Sequence, residues 1–209
     1  DFILPLQEPE LYRRYRVDVP NGVLFYGPPG CGKTYIARAL AKKLDYSFFD
    51  ITPSDLASPY VHGTQGKIGQ LFEKAVAEAP ALIFFDELDA LIPDRSGDHV
   101  GHHYSTEVNE FLVQLNECGK RRIAVIGATN FLRKVDPAAR RPGRLDKQVF
   151  IGPPDVEARQ EALRLFMKDR PQSEIEWFEI AERAEEYSFA ELKFIVDEAA
   201  RVALSDRRP

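Results

Sequence analysis

Apolar residues fall along this chain in short unbroken bursts, and apolar positions between the bursts recur at helical spacing. The bursts are Gly22 to Gly27, Tyr46 to Ile51, Ala81 to Asp86, Arg122 to Thr129 and Lys147 to Gly152. Continuous apolarity, in place of alternation, is what strands covered on both faces require. Lys33 to Leu44, Ile68 to Ala79 and Ser105 to Glu117 carry the helical patterns. Strand and helix in alternation predict a parallel sheet with right-handed crossovers. After Gly152 to Asp155 the texture changes, because Val156 to Asp169, Ile175 to Glu186 and Phe189 to Ser205 all read as helix with no strand between them. Pro153 and Pro154 mark the break. The pattern predicts an α/β domain over residues 1–152 and a small all-helical domain over residues 153–209.

Composition narrows this picture. The 209 residues are 44% hydrophobic and 29% charged, as in ordinary globular domains. The longest apolar run, Ala81 to Phe85, stops at Asp86, far short of the roughly 18 residues that cross a membrane. No basic lead or small-residue cleavage site opens the chain, so no signal peptide is expected. Its abrupt ends are those expected of a domain cut from a longer protein. Cys31 and Cys118 make no disulfide framework, which fits a reducing, cytoplasmic setting. A net charge of −5 argues against nucleic acid as a main partner.

The chemistry begins at Gly27-Pro28-Pro29-Gly30-Cys31-Gly32-Lys33-Thr34, which fits G-x-x-x-x-G-K-[ST]. It follows a predicted strand and opens a predicted helix, the context a phosphate loop needs. Glycines let backbone N–H groups close on phosphate oxygens, and the helix N-terminus favours negative charge. Lys33 would reach the β- and γ-phosphates of ATP, and Thr34 would offer its hydroxyl to Mg²⁺. Cys31 reads either as a redox-sensitive position or as a small residue at a tolerant site, and the second reading is favoured.

Leu82 to Glu87 is an apolar strand ending in two carboxylates. Asp86 fits a Mg²⁺-holding acid, commonly acting through water. Glu87 fits a general base that polarises the attacking water. A kinase transferring phosphate to a substrate needs no such base, so the pair favours ATP hydrolysis.

With these residues in view, the chain resembles the AAA+ ATPases, and within them the AAA subfamily of the valosin-containing protein, the proteasomal ATPases and the katanins. The matching stretches are Asn21 to Thr34, Ala81 to Leu91, Val125 to Asn130 and Asp136 to Asp146. The resemblance implies a P-loop NTPase parallel sheet flanked by helices, followed by a helical lid. It implies that Asn130 is the sensor that orients the lytic water or reads the γ-phosphate. It also implies that Arg141 and Arg144 are arginine fingers reaching the nucleotide of a neighbouring subunit. A trans arginine neutralises charge developing on the transferred group. Such subunits close head-to-tail into a ring, in this family usually a homo-hexamer. The implied function is ATP-powered unfolding, remodelling or disassembly of polypeptide, delivered through an adaptor or N-terminal domain outside this chain.

Ser58 to Phe72 reads as a second glycine-rich loop, with Gly63, Gly66 and Gly69. The resemblance places Tyr60, Val61 and His62 on the family's pore loop, whose aromatic residue grips a threaded polypeptide. Glycine would let such a loop move with nucleotide state. His99, His102 and His103 fall where the family has a second pore loop, and with Glu107 they also have the makings of a metal site.

Several positions depart from the family pattern. His62 stands where relatives have Gly. Asn116 and Glu117 replace an Asp-Gly turn that carries signals between subunits. Phe189 replaces a lid glycine beside the nucleotide, and Phe166 a polar residue near the ribose; both read better as core. Two other functions are consistent with the phosphate loop: a nucleic-acid-dependent AAA+ motor, and a nucleotide-gated scaffold with little turnover. Net charge, Tyr60 and the arginine motif weigh against the first. The complete catalytic set weighs against the second.

Overall fold

The computed structural model describes residues 3–17, 20–58, 63–94 and 102–206. They form two compact units. One comprises Asp1–Gly27 with Lys33–Phe150, the other Pro28–Gly32 with Ile151–Pro209.

The first unit holds α1 (Ile3–Gln7), α2 (Pro9–Arg14), β1 (Gly22–Tyr26), α3 (Lys33–Leu44), β2 (Ser47–Ile51), α4 (Pro53–Leu56) and α5 (Gly63–Ala77). It continues through β3 (Ala81–Phe85), α6 (Leu88–Leu91), α7 (His102–Glu117), β4 (Ile123–Thr129) and β5 (Lys147–Phe150). The sheet order is β2-β3-β4-β1-β5, and every pairing is parallel. This is the P-loop α/β sheet expected from the alternating pattern. Every residue of β3 and β4 is buried, in keeping with central parallel strands covered on both faces. Strand β5 departs from that expectation, being exposed along its whole length. It pairs only with β1, so it is an edge, and its Lys147 and Gln148 suit one.

One side of the sheet packs against α5 and α7. Phe72, Phe85 and Phe111 stack there, with ring centroids 4.9 to 6.4 Å apart. Burying each ring is worth about 1.5–3 kcal/mol. Helix α3 buries Ala37 and Ala41 one turn apart, and these small side chains let a helix lie close to its neighbours.

The stretch read as a glycine-rich loop is corrected here. Gly63, Gly66 and Gly69 all lie in the first half of α5. Ile68, Phe72 and Ala75 recur at helical spacing and are buried completely or nearly so. Their burial outweighs the roughly 1 kcal/mol that each helical glycine costs. The short helices α1 and α2, five and six residues long, were not predicted, since such lengths hold too few periods to register.

The second unit contains α8 (Val156–Met167), α9 (Trp177–Arg183) and α10 (Phe189–Ser205) around Ala162, Leu163, Ala181, Leu192 and Val196. Asp155 caps α8 by accepting from the Ala158 N–H at 2.8 Å. Arg159 is buried there, donating to the carbonyls of Ala181 and Pro154, each at 2.8 Å. Phe166 and Phe189 pack against this core, as their preferred reading expected.

Candidate functional site: a phosphate loop and the carboxyl ends of the strands

Parallel α/β sheets collect ligands at the carboxyl ends of their strands. There β1 runs out through Gly27 into the phosphate loop, and α3 opens at Lys33. Gly27 has φ of 146°, and its N–H donates to the Thr129 carbonyl at 3.3 Å, which ties the loop's start to the end of β4.

Lys33 is nearly buried, at 8% exposure. Its Nζ donates to the Gly27 carbonyl at 2.9 Å and to Asn130 Oδ1 at 2.7 Å. Two residues far apart in sequence, each expected at the γ-phosphate, are thus in direct contact. Thr34 Oγ1 donates to Asp86 Oδ2 at 3.3 Å. Asp86 Oδ1 accepts from the Glu87 N–H at 2.9 Å, and the Asp86 N–H donates to the Ile51 carbonyl.

Glu87 is exposed and adopts φ 49°, ψ 46°, the left-handed region. A non-glycine residue held there stores on the order of 1–2 kcal/mol, and such outliers gather at working sites. The conformation sits at the turn from β3 into α6.

The donor set suits Mg²⁺. A hydroxyl and a carboxylate converge at Thr34 and Asp86, and Mg²⁺ takes one or two protein oxygens alongside phosphates and water.

The middle of the loop belongs to the second unit. Gly30 has φ of 75°, and its carbonyl accepts from the Ala190 N–H at 3.3 Å. A Cβ at Gly30 would meet Ala190 Cβ at 2.8 Å and Ser188 Oγ at 2.9 Å. The Phe189 ring lies 3.5 Å from where a Gly32 Cβ would stand. Ser188 caps α10 in a capping box: Glu191 Oε2 accepts from the Ser188 N–H and hydroxyl. The Ser188 hydroxyl and then its N–H hold the Glu191 carboxyl below its ordinary range. Cys31 is 1% exposed, its thiol donating to the Pro29 carbonyl at 3.7 Å. Pro28 and Pro29 complete this segment.

The arginines stand elsewhere. Gly143, between Arg141 and Arg144, has its carbonyl bonded to Asn21 Nδ2 at 2.5 Å. Asn21 precedes β1, whereas Lys33 lies beyond the other end of that strand. Five strand residues span about 16 Å. Arg144 is engaged inside its own chain, through Nε to Asn116 Oδ1 at 3.1 Å and Nη1 to the Ala138 carbonyl at 2.7 Å. Arg141 is exposed, and no side-chain hydrogen bond or ion pair engages it among the described residues. Arg140 Nε is buried without a partner.

Three residues went unnoticed in the sequence. Thr129 Oγ1 donates to Asp89 Oδ1 at 2.5 Å and accepts from the Phe131 N–H at 2.9 Å, clasping Asn130 between two fixed neighbours. A buried hydroxyl closing an all-apolar strand was the available signal. Asn21, the third, gave none.

Tyr60, Val61 and His62 lie outside the described residues, as does His99. His102 and His103 open α7. Among the described residues no group of three or more His, Cys, Asp or Glu could hold a metal. No described helix is long and apolar enough to cross a membrane.

Residues 23–153 match the family described as ATPase family associated with various cellular activities (AAA). The chain belongs to the AAA family of ATPases. It is 38% identical over 207 residues to the ATPase family gene 2 protein of Saccharomyces cerevisiae, covering 97% of this chain and 26% of that protein. It is 39% identical over 208 residues to the Ribosome biogenesis ATPase RIX7 of the same yeast, covering 97% and 25%. It is 35% identical over 204 residues to the Cell division cycle protein 48 homolog of Archaeoglobus fulgidus, covering 97% and 28%. This AAA chain therefore spans about a quarter of the length of these curated relatives.

Proposed function

We propose that this AAA domain hydrolyses ATP within a ring of like subunits, hexameric by family habit, and that the energy remodels or unfolds a polypeptide. The chain divides into an ATPase domain, residues 1–152, and a helical lid, residues 153–209. ATP lies along Gly27, Pro28, Pro29, Gly30, Cys31, Gly32, Lys33 and Thr34. Lys33 leans on the β- and γ-phosphates. Glu87 takes a proton from the attacking water, which Asn130 orients toward phosphorus. Thr34 and Asp86 would hold Mg²⁺, which when bound neutralises charge on the phosphate oxygens. The contact between Lys33 Nζ and Asn130 Oδ1 supports assigning both to one phosphate group.

The observation that carries the ring is the separation of the arginines from that cluster. The segment bearing Arg141 and Arg144 is tied to the amino-terminal end of β1, and Lys33 lies past its carboxyl-terminal end. An arginine so placed serves a neighbour's site and not its own. In related phosphoryl transfers such an arginine is worth about 10³–10⁵ in rate. A polypeptide in the channel would be gripped by Tyr60, Val61 and His62, delivered by an adaptor or another part of the protein. One relative is named a ribosome biogenesis ATPase, in keeping with ATP-driven remodelling.

The test is the ATPase rate per subunit, with Mg²⁺, across a range of protein concentrations. A steep rise is expected, since assembly completes each site. A flat and substantial rate overturns the trans arrangement. No turnover at any concentration, with ATP bound, makes the protein a nucleotide-gated scaffold.

A further inference from the structure

The amino-terminal edge of the sheet carries a polar clamp that the reaction scheme does not use. Its centre is Asn21, half-buried immediately before β1. The main chain of Asn21 is fixed, because its carbonyl accepts from the Val125 N–H of β4 at 3.0 Å. Its side chain then reaches in two directions. Oδ1 accepts from the Gly119 N–H at 2.6 Å, just past the end of α7. Nδ2 donates to the Gly143 carbonyl at 2.5 Å and, more weakly, to the Asn116 carbonyl at 3.5 Å. All three of the amide's hydrogen bonds go to main chain, from two segments. Such bonding fixes backbone position and reads no side chain.

The segment held this way is the one bearing the arginines. Gly143 has φ of 83° and its N–H donates to Asp146 Oδ2 at 3.3 Å, so the turn is also braced from the other side. Leu145, fully buried, bonds its N–H to the Ala139 carbonyl at 3.0 Å. Arg144 spans the same turn from within, bridging Asn116 and Ala138. Its guanidinium is therefore occupied in holding the segment. Arg141 is left exposed on the rigid turn, its carbonyl accepting from the Arg144 N–H at 3.2 Å.

We propose that Asn21 is a positioning residue for the arginine segment, and that Arg144 is a strut in its own subunit while Arg141 alone presents to a neighbour's nucleotide. The inference rests on the trans reading above. A charge-stabilising group is effective only when it is already in place as charge develops. Losing the clamp frees the turn and weakens Arg141 without touching the phosphate loop of the same subunit, whose strand β1 is held by its ladders to β4 and β5. The effect is directional: a subunit with a defective clamp donates poorly and receives normally.

Mixed assemblies test this. Two forms of the full-length protein are co-expressed with different tags and purified through both. The receiver carries Arg141→Ala, so it has an intact site and gives no finger. The donor carries Glu87→Gln, so it gives a finger and turns over no ATP. All turnover then comes from receiver sites beside donors. The unaltered donor is expected to restore activity, and a donor with added Arg141→Ala is not. A donor with added Asn21→Ala is expected to restore at least tenfold less. Asn21→Asp keeps the acceptor for Gly119 but has no N–H for Gly143, and in the donor it is expected to fail as Ala does. Placing Asn21→Ala in the receiver instead is expected to leave restored activity unchanged. Equal loss from donor and receiver would mean a general folding defect and overturn the proposal. Full restoration by the Asn21→Ala donor would overturn it while leaving the trans reading intact. No restoration by the unaltered donor would overturn the trans reading itself, and the clamp's role with it.

Discussion

Glu87 has the same carboxylate as its neighbour Asp86, yet the two are set in different surroundings. Asp86 accepts from Thr34 and from a backbone N–H, whereas Glu87 stands exposed in a left-handed turn. The first arrangement suits a group that holds a cation, and the second suits one that must reach water. Glu87→Gln keeps the shape and removes the carboxylate proposed as the base. Hydrolysis is expected to fall at least about a hundredfold, with ATP affinity within about threefold of the parent protein. Single-turnover and equilibrium-binding measurements separate the two quantities, and wild-type turnover in this variant would remove the base assignment. Lys33, Thr34, Asp86 and Glu87 could be singled out as candidates because short-range spacing marks them: one loop, one strand end. Asn130 was legible only through resemblance, and its contact with Lys33 spans 97 positions. Asp89 with Thr129, and Asn21 with Gly143, pair across 40 and 122 positions. No periodicity encodes such meetings; they follow from sheet order, which the sequence leaves open.

At the scale of elements, the strands were the most legible feature, since five apolar bursts became five strands with ends shifted by a residue or two. Helix α5 was legible only in its second half, because glycine content argued for a loop over Gly63 to Gly69 and burial decided for a helix there too. The end of α7 shows what burial does to chemistry. Cys118 is fully buried in the hydrophobic core of the sheet, its Sγ donating to the Gln114 carbonyl at 3.2 Å. Burial pushes its thiol up from 9.0 to about 12, with the Arg121 charge opposing only in part. Two results are expected. Thiol reagents should leave Cys118 unmodified in the folded protein at pH 8, since the thiolate is the nucleophile. Stability should also fall as pH rises through the window from 9 to 12. There the unfolded chain loses the proton that the folded chain keeps, so unfolding gains with pH. The slope from this one group is at most about 1.4 kcal/mol per pH unit, and it fades away below pH 9. Urea titrations at pH 8 and 10.5, on the parent and on Cys118→Ala, check it: the variant should lose less between the two pH values. Equal losses would place the alkaline sensitivity elsewhere.

For the molecule as a whole, ATP is a ligand of the folded state alone, and its binding must appear as stability. At 100 times the dissociation constant the gain is about 2.7 kcal/mol. For a chain of this size that raises Tm by roughly 5–10 °C. The Glu87→Gln form suits the measurement because the ligand then persists. Chelating Mg²⁺ should shrink the rise, as the proposed Mg²⁺ site at Thr34 and Asp86 requires. Gly30→Ala should remove it. The loop needs φ of 75° at Gly30, and the added methyl would stand 2.8 Å from Ala190 Cβ and 2.9 Å from Ser188 Oγ. Backbone strain alone costs about 1–2 kcal/mol, so the unliganded Tm of Gly30→Ala should also drop by several degrees. The two effects separate cleanly. A lower baseline with the ATP increment retained would show that Gly30 matters only to packing within its own unit. A lower baseline with the increment gone is what a phosphate cradle requires, because backbone N–H groups bind phosphate only while the loop keeps its shape. That packing of Gly30 against the start of α10 was invisible in the motif, which records that glycine is needed and not what stands beside it.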